Sequence, residues 1–456
     1  MRGRPGAPLG ARLEDAAALG AATVEWRRLG ARGARLAAVG GAWYNRRVIE
    51  ERVKLTVEGY LAEVLALVAP LTDVVMEPAP RAVGRTLGEP VTSRGAVPAF
   101  ANSGMDGFAV HAADLVPGAV LREVADLPAG SGDDPAVGPG ECARIMTGAP
   151  VPTATDTVLP RELVTETPAG IVVNEVVPAG ANVRHAGEDL APGDAVLPVG
   201  HVLDARALSL VAACGRDEVA VVRRPIVNVA STGDELSPPG RDLDRGQIYE
   251  SNSVFLAEAA RRDGAEVLAT AVLPDDPDAF AAGLDALARF ADLVVLSGGV
   301  SVGDYDVVRQ VLTQRGEAAF RHVHMQPGKP QGWARWRTPE GRTVPVLALP
   351  GNPLSAAVSY ELFVRPALDR FLGRPSPGWT AAVVDDAWRS HPGRRQFVPV
   401  VIEVGADGVR RVRRAHRRGS ASHMVSALAL ADALAAVPED TIEVAPGQVL
   451  LIRPLT

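Results

Sequence analysis

Three short stretches set a few charged groups among glycine, serine and proline. They are Ser231-Thr232-Gly233-Asp234-Glu235, "SGGVSVGDYD" from Ser297 to Asp306, and Pro350-Gly351-Asn352-Pro353-Leu354-Ser355. Glycines let a main chain approach an anion closely, and exposed N–H groups at a helix start then bind it. Any one such loop is a common strand-to-helix connection, whereas three in one region are harder to dismiss. In the second, Gly298, Gly299 and Ser301 supply the bare backbone. Between the second and third lies "MQPGKPQG", where Pro327, Gly328 and Pro330 hold Lys329 on a stiff segment. A lysine so presented suits phosphate. Asp234, Asp304 and Asp306 lie in the same loops. Carboxylates repel phosphates unless a cation intervenes, and Mg2+ takes a few carboxylates plus substrate phosphates. Helix N-capping is the ordinary alternative for Asp234 and Asp304.

A second group of acids lies earlier in the chain. Asp106 stands in "FANSGMDGFAV", Asp156 in "RIMTGAPVPTATDTVLP", and Glu188 with Asp189 in "VRHAGEDLAPGD". Acids in such turns are routine, so their meaning depends on what the fold brings together.

The elements that carry these loops follow from hydrophobic period. "VEGYLAEVLALVAPL" from Val57 has helical spacing, and Pro70 ends it. Residues 101–225 alternate short apolar runs with Gly and Pro turns, a β-rich pattern with one helix at 204–214. Residues 225–372 alternate strands ("PIVNVA", "AEVLATAVL", "ADLVVLS", "VPVLAL") with helices, which predicts βαβ units and a mostly parallel sheet. Ligands of such sheets sit beyond the carboxyl ends of the strands, where all three glycine loops emerge. Residues 376–456 return to short strands.

The chain has 456 residues, too many for one ordinary core, and 47 % are hydrophobic. No apolar run approaches the ~18 residues that span a bilayer. The net charge of -7 argues against a nucleic-acid binder. Two distant cysteines, Cys142 and Cys214, suggest neither a metal site nor a disulfide framework, and fit a reducing cytoplasm. His322 and His324 alternate as on one strand face. Residues 1–46, rich in Arg, Gly and Ala, lack a secretory core and are expected to be a disordered extension or an upstream mis-start. The basic run "GVRRVRRAHRRGS" reads as a strand with exposed arginines, or as a dock for an acidic partner.

"NSGMDGFAV", "RIMTGAPVP", "GED", "STGDEL", "GQIYESN", "SGGVSVGDYD", "PGKP" and "LPGNPLSA" occur in this order. Together they resemble the MoeA family of molybdopterin molybdenumtransferases, related to the C-terminal part of gephyrin, over about residues 53–456. The resemblance implies a multidomain α+β and α/β fold. Its parts would be a linker domain (47–97 and 161–224), a β-rich domain with the acids (98–160), a three-layer αβα molybdopterin-binding domain (225–375) and a C-terminal β-barrel (376–456). It implies insertion of molybdenum from molybdate into adenylylated molybdopterin, with Mg2+-dependent release of AMP. It also implies a homodimer whose site lies between the αβα domain of one subunit and the β-rich domain of the other. A molybdopterin adenylyltransferase and molybdoenzyme apoproteins are the partners expected.

Carried over by motif, Asp106, Asp156, Glu188 and Asp234 are the catalytic acids, with Asp106, Glu188 and Asp234 as metal ligands. The three loops and Lys329 contact the pterin nucleotide. The family pattern "DNSAMDGYAV" is altered here by Ala101, Gly104 and Phe108, which leaves room for a different oxyanion such as tungstate. A non-catalytic pterin-binding scaffold and a molybdopterin adenylyltransferase are the competing readings.

Overall fold

The computed structural model describes residues 55–300, 307–416 and 421–455. The expected extension at 1–46 lies outside them, as do Ser301, Asp304 and Asp306. The chain divides into two compact units, Asp73–Val222 and the remainder. Among the described residues no helix is long and apolar enough to cross a membrane.

Helix α1 (Val57–Leu65) starts where the Thr56 hydroxyl accepts from the Gly59 N–H at 3.0 Å. Its buried Tyr60 and Val64 join the core formed by the later βαβ region, and the Tyr60 hydroxyl donates to the Gly332 carbonyl. The sequence reading put this helix in a linker domain. Its apolar face instead has its partners in the αβα layers.

In the unit 73–222, six strands form one sheet: β1 (Gly107–Val110), β2 (Val120–Leu127), β3 (Glu141–Ile145), β4 (Thr157–Pro160), β5 (Val164–Thr167) and β6 (Gly170–Val173), in the order β4-β1-β3-β2-β6-β5. The sheet therefore continues past residue 160, where the sequence reading ended the β-rich domain. Ile171 and Val173 carry it on, since they bury against Phe108 and Leu159. The helix expected at 204–214 is α2 (Ala205–Ala213), capped by Asp204.

The other unit holds the αβα domain. Its strands are β7 (Val227–Thr232), β8 (Thr270–Leu273), β9 (Leu293–Ser297), β10 (Gly316–His322), β11 (Pro330–Arg337) and β12 (Thr343–Leu349), in the order β8-β7-β9-β12-β11-β10. The first four neighbours are parallel, as expected. The hairpin β10–β11 is antiparallel and was not read from the sequence. Helices α3 (Asn252–Arg262), α4 (Pro277–Ala288) and α5 (Val307–Arg315) cover the sheet. Beyond β12, α6 (Pro353–Ser359) runs through a π-helical turn, Tyr360–Val364, into α7 (Arg365–Phe371).

The expected C-terminal barrel is present. Strands β13 (Thr380–Val384), β14 (Arg395–Val404), β15 (Arg410–Arg414), β16 (Ala433–Val437) and β17 (Val449–Pro454) pair in the ring β14-β15-β13-β17-β16, and β16 closes on β14. Three of the four arginines of β15 are matched by acids of the same domain, Arg411 with Asp407, Arg413 with Glu403 and Arg414 with Asp386, and Arg410 donates to the Thr380 hydroxyl. That pairing favours the plain strand reading over an acidic dock; residues 417–420 of the run lie outside the described residues. An ionic network joins barrel and helix. Glu361, 1 % exposed, receives Arg262 and Arg365. Arg453 of β17 donates to the Glu361 carbonyl, and Tyr360 donates to Asp263.

Candidate active site

Strands β7, β9 and β12 are adjacent and in register, with Ser231 opposite Ser297 and Ser297 opposite Leu349. The three glycine loops therefore leave the sheet side by side. They touch. Gly298 has φ +102°, and a Cβ there would lie 2.7 Å from the Thr232 carbonyl oxygen; a Cβ on Gly351 would meet the Gly298 Cα at 3.4 Å. Only glycine lets the first two loops meet in this way.

Among the described residues, the loop serines Ser231, Ser297 and Ser355 are framework. Ser231 and Ser297 are 2 % and 1 % exposed. The Ser231 hydroxyl donates to Glu250 at 2.6 Å, and Ser297 Oγ accepts from Asn252 Nδ2 at 2.7 Å. Ser355 is buried inside α6, where its carbonyl accepts from Ser359 Oγ. Among the described residues, these loops offer a ligand backbone together with the exposed Asp234, Glu235 and Asn352. Pro353 stands at the first helical position, where its missing N–H costs nothing.

Thr232 Oγ1 donates to Asp275 Oδ1 at 2.9 Å, and the Asp234 N–H lies 3.4 Å from Asp275 Oδ2. Asp275, Glu250 and Asn252 were not picked from the sequence as site residues. The "PDDPD" run and "YESN" hold them, but a cap is the obvious role for an acid beside a helix start, and neighbouring Asp276 has that role.

Lys329 is exposed and immediately precedes β11. Because β11 runs antiparallel to β12, its start lies at the edge where β12 ends, so Lys329 shares the edge with the loops. Gln331 secures the turn, donating to the Gly328 carbonyl at 2.7 Å and to Ser359 Oγ at 2.6 Å. His322 ends β10 opposite Pro330 at that same edge. Burial, then the positive charges of Lys329 and Arg309, hold its pKa below the ordinary value. His324 lies beyond the strand, so the two histidines do not share its face.

The early acids are set on the other unit. Asp106 is exposed just before β1. Its Oδ1 accepts from both the N–H and the hydroxyl of Thr147, each at 2.7 Å. Those bonds, the main-chain one foremost, lower its pKa, and Arg161 adds to them. Thr147, in "IMTGAP", was also missed by the sequence reading. Asp156 is held ionised by Thr157 Oγ1 and the Ala112 N–H. It does not join Asp106. Strands β1 and β4 are antiparallel, with Gly107 opposite Pro160 and Val110 opposite Thr157. Asp106 and Asp156 thus sit at opposite ends of the pair, five residues or roughly 17 Å apart at ~3.4 Å per residue. Glu188 Oε2 accepts from the His185 N–H. Its segment leaves the short pairing of Val183–Arg184 with Asn102–Ser103 in the direction opposite to the Asp106 segment. Among the described residues no three Asp, Glu, His or Cys side chains gather as a metal site.

The site can thus cradle a phosphorylated ligand with converging main-chain groups and one lysine, while ionised carboxylates stand on a separate sheet. Family models match residues 55–215 as the MoeA N-terminal region (domains I and II), 228–370 as a probable molybdopterin binding domain, and 381–455 as the MoeA C-terminal region (domain IV). A Mycobacterium tuberculosis protein named molybdopterin molybdenumtransferase 2 is 40 % identical over 419 residues, covering 87 % of this chain and 98 % of its own. A molybdopterin molybdenumtransferase of Nostoc is 34 % identical over 382 residues, covering 82 % and 86 %. A crystal structure of the molybdopterin biosynthesis MoeA protein of Pyrococcus horikosii superposes with a TM-score of 0.73 at 29 % identity, covering 88 % of this chain and 99 % of its own. On these matches, the chain belongs to the MoeA family of molybdopterin molybdenumtransferases.

Proposed function

We propose that the protein inserts molybdenum from molybdate into adenylylated molybdopterin and releases AMP. Family membership makes it an enzyme of molybdenum cofactor biosynthesis; the substrates and the step are our reading. The observation that carries it is the meeting of three glycine loops at adjacent strand ends, with Lys329 on the same edge. Such an edge suits a pyrophosphate, whose cleavage is mainly positioning and charge neutralisation.

Asp106 is suited to a hard cation: it is exposed, ionised and fixed by Thr147. Asp106, Glu188 and Asp234 are the carboxylates we assign to Mg2+, which when bound supplies positive charge to the breaking phosphoanhydride. Lys329 holds a phosphate, and the loop N–H groups orient it. We infer a homodimer in which acids of one subunit work with the loops of the other, so that residues distant in sequence share one site. A cytoplasmic setting fits the two buried free cysteines.

The test is AMP release from adenylylated molybdopterin with and without molybdate, for the wild type and Asp106→Asn. Molybdate-dependent release lost in the variant supports the assignment. Tight binding with no AMP from the wild type, under molybdate or tungstate, leaves a binding module instead.

A further inference from the structure

We propose that Asn252 is a positioning residue that sets the gap between the second and third glycine loops, and with it the affinity of the anion site. The inference rests on the phosphate-binding reading of that edge. Asn252 is the first residue of α3 and is half-buried. Its Nδ2 donates to Ser297 Oγ at 2.7 Å and to the Gly351 carbonyl at 2.7 Å. A side-chain amide has two N–H bonds, and here one goes to each loop. Ser297 Oγ also lies 3.4 Å from the Pro350 carbonyl, which adds a weaker tie between the same loops.

Its neighbours hold the first loop. Glu250 is 6 % exposed. Its Oε1 accepts from Ser231 Oγ at 2.6 Å and from the Ser253 N–H at 2.7 Å, and its Oε2 accepts from Ser253 Oγ at 2.6 Å. Two residues at the start of one helix, Glu250 and Asn252, therefore reach all three loops. Within that frame Asn252 is the side chain from outside the loops that, among the described residues, bonds to both loops two and three. Removing its two donors leaves the backbone of α3 intact but frees the Gly351 carbonyl and the Ser297 hydroxyl from their common partner. The main-chain N–H groups of the two loops then no longer converge at a fixed spacing.

The test uses full-length Asn252→Ala and Asn252→Asp. The second keeps the shape and removes both donors. For each, the KM for adenylylated molybdopterin should rise about tenfold, the loss expected for two neutral hydrogen bonds, with kcat within about twofold. Amide hydrogen exchange at Gly298–Val300 and Gly351–Asn352, measured on the free protein, should quicken about tenfold. Ser253→Ala, which disturbs the same helix start but not these bonds, should leave exchange in those two loops unchanged. The proposal is overturned if exchange there is the same in wild type and both variants. It is equally overturned if Ser253→Ala matches them, or if the rise in KM only tracks a fall in melting temperature. Failure of the functional reading shows separately, as a wild type that releases no AMP, and the exchange result stands without it.

Discussion

Replacing Gly298 by alanine tests whether the contact between the first two loops is required. The residue holds φ +102°, and the added Cβ would sit 2.7 Å from the Thr232 carbonyl oxygen, well inside the 3.4 Å of ordinary contact. Backbone strain of this kind costs about 1–3 kcal/mol. Forcing a methyl group into a packed contact costs about 1–3 kcal/mol more. Thr232 cannot yield easily, because its side chain is tied to Asp275 and its backbone to the neighbouring strands. The second loop must therefore move by more than half an ångström, and a 1 Å misplacement costs on the order of 100-fold in rate. Urea denaturation followed by tryptophan fluorescence should show a lowered midpoint, since Trp333 and Trp336 lie in the same domain. AMP release should fall by at least about tenfold in kcat/KM. Gly351→Ala is the matched control: its Cβ meets Gly298 only at 3.4 Å and no positive φ is involved. It should stay within about 0.5 kcal/mol of wild type. Equal behaviour of the two variants, or a Gly298→Ala protein as stable and active as wild type, would refute the reasoning.

Two further outcomes follow from the same geometry. The native pKa of Asp106 is lowered, so its contribution to stability is present above the unfolded value near 3.8 and lost as pH falls through the native one. Thr147→Val removes the hydroxyl donor and should move the Asp106 carboxyl back toward its ordinary value, read by carboxyl NMR titration; an unmoved titration would show that Thr147 Oγ1 is not a cause. Asn228 is 4 % exposed, donates to the Leu287 carbonyl and accepts from the Ala269 N–H. Asn228→Ala leaves both groups unpaired and should cost about 2–4 kcal/mol in urea denaturation, whereas a loss under about 0.5 kcal/mol would mean water replaces the amide.

Much of the αβα domain was legible because its strands are continuous apolar runs and its helices are capped by recognisable residues such as Asp276 and Gly264. The β10–β11 hairpin was not, since Gly316–His322 and Pro330–Arg337 mix charges and tryptophans and begin at Gly and Pro. At the site, glycine content pointed to the loops, and strand order then showed that they are neighbours. Sequence could not show that Ser231 and Ser297 face inward, because that depends on Glu250 and Asn252 arriving from another element. Nor could it separate Asp106 from Asp156, which is decided by the antiparallel register of β1 and β4.

The ionic network around Glu361 bears on how such proteins can be recombined. The family models end and restart at residues 370 and 381, as if domain and barrel were interchangeable pieces. Physically the cut falls elsewhere. Arg453 reaches back to the Glu361 carbonyl, while Arg262 and Arg365 reach forward to the carbonyls of Leu455 and Pro454. A graft made at that linker would remove these three arginine-to-carbonyl hydrogen bonds, each worth about 1.5–3 kcal/mol as a bond to a charged group, while leaving the Glu361 pairs with Arg262 and Arg365 in place. In this chain the barrel is therefore tied to the helix through Phe371 and to the end of α3, and a barrel graft should hold best where these arginines keep carbonyl partners in the incoming strand.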